Sequence, residues 1–146
     1  MNLSRNFTLD ELTLTDSHLP NVPTEKKIVK LTELVTGLLQ PLRDMLGKPI
    51  CVISCFRSPD VNKDKGGTMK PLSQHCKGEA VDLEIVDNAH LFNLICTNFD
   101  FDQLIWEGGD DFQPAWVHVS YKTKGNRKQV FRMRMVKGKK KYTNIS

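Results

Sequence analysis

Asp82 lies between Val81 and Leu83 in the apolar run Ala80 to Val86, and His118 lies between Val117 and Val119 in the run Ala115 to Ser120. Both runs read as strands, so a fold that buries them must also take a carboxylate and an imidazole out of water. An unpaired charge there is costly, whereas a hydrogen-bonded or metal-bound one is compensated. A second histidine, His75, precedes Asp82 in Ser73-Gln74-His75-Cys76-Lys77-Gly78-Glu79-Ala80-Val81-Asp82. Two imidazoles and one carboxylate form an N/O set that leaves the fourth position of a tetrahedral zinc open to water, as a catalytic site requires. Taken singly, each residue reads more simply as a hydrogen-bonded structural side chain. Three in one pattern point to a metal.

The rest of the chain narrows the class. With 39% apolar and 26% charged residues over 146 positions, it can bury a core as one globular domain without staples. No apolar stretch approaches the ~20 residues of a membrane helix. Met1 to Asn6 contains no apolar signal core, so the expectation is a cytoplasmically made monomer without a secretory signal. Cys51, Cys55, Cys76 and Cys96 include no CxxC pair, which argues against a sulfur-rich zinc site and suits a reducing compartment. Charge is divided unevenly: ten of the 21 Lys and Arg fall from Lys122 onward, where there is no acid, so residues 122–146 are a basic segment on an acidic body. Such a segment suits a polyanionic partner or a solvated, frayed tail.

Thr8-Leu9-Asp10-Glu11 has the capping-box pattern, and Leu14 to Pro23 reads as loop. Ile28, Leu31, Val35, Leu38, Leu42 and Met45 form the stripe of an amphipathic helix, which Pro41 should kink or divide and Gly47 should cap. Ile50 to Cys55 reads as a buried strand, and Arg57 to Ser73 as a long irregular segment of functional type. A helix at Asn88 to Asn98 and strands at Gln103 to Glu107, Trp116 to Tyr121 and Gln129 to Met135 follow. The last two can form a hairpin through Lys124-Gly125-Asn126-Arg127. The expected fold is α+β, a mainly antiparallel sheet with helices packed on one side.

The order of these residues resembles the zinc D-alanyl-D-alanine carboxypeptidase family, which includes L-alanyl-D-glutamate endolysins and shares its fold with hedgehog domains. The likeness spans Phe56 to Tyr121 and rests on Phe56-Arg57-Ser58-Pro59 with Asn62, on the His75 to Asp82 motif with Ser73, and on Leu104-Ile105-Trp106-Glu107 followed by Trp116-Val117-His118. It implies His75, Asp82 and His118 as zinc ligands, Glu107 as general base, and Arg57 as substrate contact and oxyanion stabiliser. A carboxylate placed beside an activated water takes its proton and returns it to the leaving amine. Ser73 and Trp116 would bind substrate; Ser73 could instead hold its loop, and Trp116 stands where many relatives carry a histidine. Asp110, Asp111 and Glu84 are rival bases, whereas His18 and His90 read as surface residues.

The resemblance implies hydrolysis of peptidoglycan stem peptides at the cell wall, reached by phage-type release or as a virion component. The basic segment would hold anionic wall polymers. A catalytically idle wall-binding module of the same fold is the alternative. Nucleic-acid binding has only the basic segment in its favour, with no recognised motif.

Overall fold

A computed structural model describes all 146 residues. Thr8 caps a short helix α1 (Leu9–Leu12) by accepting from the Glu11 amide. The amphipathic stripe forms α2 (Glu25–Leu34), a π-helical turn at Val35–Leu39, and α3 (Gln40–Leu46). The division falls just ahead of Pro41, whose missing N–H cannot continue the ordinary ladder; the Gln40 amide reaches back to the Val35 carbonyl instead. The wider turn shifts the face presented to the core, so Leu39 is buried and Leu46 packs on the core while Met45 is exposed. Gly47 ends the helix in the left-handed conformation (φ 71°).

Strands β1 (Cys51–Ser54), β2 (Ala80–Glu84), β3 (Gln103–Glu107), β4 (Trp116–Ser120), β5 (Gln129–Val136) and β6 (Lys139–Asn144) form one sheet in the order β1-β2-β4-β3-β5-β6. All neighbours are antiparallel except β3 and β5. Strand alternation divides the side chains between two faces. Val81, Leu83, Leu104, Val117, Val119 and Val130 join the helices in the core. Asp82, Ile105, Glu107 and His118 point to the other face. Helix α5 (Asn88–Asn98), capped by Asp87, links β2 to β3 in sequence and packs against β3 and β4.

Four expectations are corrected. The strands β4 and β5 do not form a hairpin; β3 lies between them, because β5 pairs parallel to β3. The basic end is not a frayed tail, since Lys139–Asn144 pairs with β5 as the edge strand. The segment after Arg57 is not wholly irregular: α4 (Pro59–Asp64) begins at Ser58, whose hydroxyl accepts from the Val61 amide, with Pro59 in the first turn. Strand β1 is an edge strand with Cys51 and Ile53 exposed, so burial in that run is confined to its flanks, Ile50 and Cys55.

Candidate metal and catalytic site

His75 sits on a short 3-10 turn (Gln74–Lys77), which Ser73 caps by accepting from the His75 amide at 3.2 Å. The turn ends at Gly78 in the left-handed conformation (φ 74°), where a Cβ would lie 2.9 Å from the Lys27 carbonyl. A side chain there is disfavoured twice over, by backbone conformation and by the close approach of α2. The chain then enters β2, whose Asp82 is directly opposite His118 on β4.

These three residues converge. Asp82 Oδ1 lies 2.9 Å from His118 Nδ1, and Asp82 Oδ2 lies 3.4 Å from His75 Nε2. One ligand atom from each falls within 4.8 Å of the others, and the two rings meet edge to face. His75 Nδ1 lies 2.7 Å from the Cys55 carbonyl, which can only accept, so the bond places the proton on Nδ1 and leaves Nε2 directed at the cluster. Burial opposes ionisation of Asp82, but the two imidazoles outweigh it and hold the carboxyl below its ordinary range. The donor set suits zinc: nitrogen and oxygen atoms only, with a buried carboxylate flanked by two imidazoles.

Arg57 is no free surface residue. Its Nε donates to Ser54 Oγ at 3.1 Å and Nη1 to Asn62 Oδ1 at 3.4 Å, which sets Nη2 3.7 Å from Asp82 Oδ2. Asn62 is itself buried and donates to the Thr68 carbonyl. The guanidinium is therefore aimed at the cluster by the end of β1 and by α4.

Glu107 ends β3 and pairs with Trp116, diagonal to His118 on the same face. It is 6% exposed, and its Oε2 has no hydrogen-bond partner. Burial raises its pKa, and nearby Asp82 adds to this against the pull of His118 and Lys140. The rival acids are engaged elsewhere or turned to solvent. Asp110 accepts from the Phe112 and Gln113 amides, Asp111 pairs with Arg132 and Arg134, and Glu84 is exposed. His18 and His90 are also exposed.

The three clustered residues, Arg57 and Glu107 open on a cleft of about 800 Å³, which Ser73 and Trp116 also line. The cleft also takes residues that sequence reasoning passed over: Gln74, Arg127, Lys140 and Tyr142. Behind them Asp102 is fully buried, accepting from Gln74 Nε2 at 2.8 Å and from the Arg127 backbone and guanidinium. It thereby ties the turn that carries His75 to the far end of the sheet. Asp102, between Phe101 and Gln103 just before β3, gave only a weak signal of a buried acid, unlike Asp82 with an apolar neighbour on each side. Lys140 and Tyr142 carried no such signal, because nothing local places β6 beside the cleft.

Residues 5–120 match the model of the family described as Peptidase M15. The chain belongs to the M15 peptidases. This is the zinc peptidase family of the D-alanyl-D-alanine carboxypeptidase and endolysin type, and the α+β sheet with its helices agrees with that fold. No curated protein matches the chain. The matched span contains all seven residues singled out in sequence and ends at Ser120, before β5 and β6.

Proposed function

We propose that this M15 peptidase hydrolyses peptide bonds in peptidoglycan stem peptides, with His75, Asp82 and His118 holding zinc and Glu107 as general base. Zinc, when bound, supplies Lewis-acid activation of water and of the scissile carbonyl. The observation that carries the reading is Glu107: a buried carboxylate with an unpartnered oxygen in the same cleft as the cluster. Its raised pKa keeps it a competent proton acceptor and donor nearer neutrality than an ordinary glutamate. It takes the proton of the attacking water and delivers it to the leaving amine. Arg57, held by Ser54 and Asn62, faces the reacting carbonyl as a fixed cation. Trp116, in register with Glu107, forms an apolar wall for the peptide. Ser73 acts first by holding the His75 turn.

Digestion of purified peptidoglycan, with released fragments identified by mass spectrometry, tests this. New amino and carboxyl termini within stem peptides are expected. Stoichiometric zinc with no released fragment would instead establish an idle wall-binding module.

A further inference from the structure

The hairpin of β5 and β6 lies outside the span that matches the peptidase family, yet it walls the cleft with Phe131, Lys140 and Tyr142. The register explains how. Glu107 pairs with Met133 and Met133 pairs with Tyr142, so the three form one row on one face of the sheet. Neighbouring strands stand about 4.8 Å apart, and a tyrosine on β6 reaches back across Met133 toward Glu107. Met133, in the middle of this row, is 3% exposed, whereas Tyr142 at its outer end is 49% exposed. The phenol's pKa is raised by burial and further by Glu107 and Asp82, consistent with a ring that faces both carboxylates. Lys140 shares the face of Tyr142, and Lys141 between them points the other way.

The charge of the cleft gives this wall a partner. Its cations are Arg57, Lys77, Lys122, Arg127 and Lys140, against the acids Asp82 and Glu107. Arg57 is committed to Ser54, Asn62 and Asp82, and Arg127 and Lys122 face Asp102. Lys77, on the turn of His75, and Lys140, on the Glu107 side, form no ion pair within 4.0 Å, although Lys140 is near enough to Glu107 to lower that carboxyl's pKa. An unpaired ammonium in a concave wall is a point charge suited to a single carboxylate. The geometry points to β6 as an acid-binding wall: Lys140 pairs with a carboxylate of an acidic peptide substrate, and Tyr142 packs against the peptide beside it. The claim that the bound acid is a peptide rests on the peptidase reading; the claim that β6 binds an acid does not.

Two synthetic stem tetrapeptides, one with free carboxyls and one fully amidated, separate these. Titration calorimetry on zinc-loaded protein carrying Glu107→Gln measures binding while hydrolysis is suppressed. The acid form should bind about fivefold more tightly than the amide, the scale of one partly exposed ion pair. Adding Lys140→Gln should abolish that preference, and adding Lys141→Gln, the same charge change on the other face, should keep it. Tyr142→Ala should weaken both peptides alike. No acid preference without these changes, or equal loss with Lys140→Gln and Lys141→Gln, overturns the wall. Lys140-dependent binding by a protein whose wild-type form releases no fragment from purified peptidoglycan keeps the wall and removes the peptidase reading.

Discussion

Asp82 and Asp102 are both buried and both held below the ordinary carboxylate range, but their surroundings differ in kind. Asp102 is saturated by firm donors: the Arg127 guanidinium and amide, and the Gln74 side chain. Arg127 is the main cause of its lowered pKa. Around Asp82 burial is the largest influence and works against ionisation, and its partners are two imidazoles and a more distant Arg57. The imidazoles can themselves bind metal. Burial and a shifted pKa therefore do not identify a ligand; the chemistry of the partners does. Glu107 marks a third case, with its pKa raised and one oxygen unpartnered. One aspartate is anchored by firm donors, the other lies among imidazoles that could share a metal with it, and the glutamate keeps one oxygen without a partner.

The largest expected effect separates Glu107 from both aspartates. Glu107→Gln keeps the shape and all three proposed ligands, so zinc content should persist while turnover falls by roughly 10²–10⁴. Near-normal turnover would move the base to Asp110, Asp111 or Glu84.

Metal analysis breaks the comparison of the aspartates directly. His75→Ala and Asp82→Ala should lose the zinc, about one per chain in the wild type, whereas Asp102→Asn should keep it. Retention of full zinc in the first two would remove the ligand assignment.

Urea unfolding of the metal-free protein reverses the ranking. Asp102→Asn should cost about 1.5–3 kcal/mol at neutral pH, the worth of hydrogen bonds to a charged group. The sign with pH follows from the lowered folded-state pKa of Asp102. Its stabilisation is present above the ordinary aspartate value and is lost as pH falls below it, so the variant and wild type should converge in acid. Glu107→Gln should do the opposite. A carboxylate whose pKa is raised by burial opposes folding when ionised, so its removal should leave stability at neutral pH equal or higher. A clear loss of stability would show that Glu107 is structural.

The smallest effect concerns the basic segment. Part of it is already paired, with Arg127 on Asp102 and both Arg132 and Arg134 on Asp111, and Lys140 faces the cleft. What remains, including Lys124, Lys137, Lys139 and Lys141, should attach weakly to anionic wall polymers, and a salt series in a pull-down should release it. Attachment that does not weaken with salt would exclude this segment.

Local pattern was enough for much of this protein. The stripe from Ile28 to Leu42 marked a helix, the alternation around Asp82 and His118 marked strands, and Gly47 marked a helix end, because each signal needs only neighbouring residues. The same alternation exposed Asp82 and His118 as polar residues in apolar strands, so two members of the cluster were legible without any tertiary contact. Long-range pairing was not. Both edges of β4 are taken, by β2 and β3, so β5 lies parallel to β3 on its free edge, and Val130 packs in the core from there. That choice carries β6 to the rim of the cleft and brings Lys140 and Tyr142 to the Glu107 side. The orientation of Arg57 by Ser54 and Asn62, and the bond from His75 to the Cys55 carbonyl, were equally hidden, since each depends on how separate elements pack together.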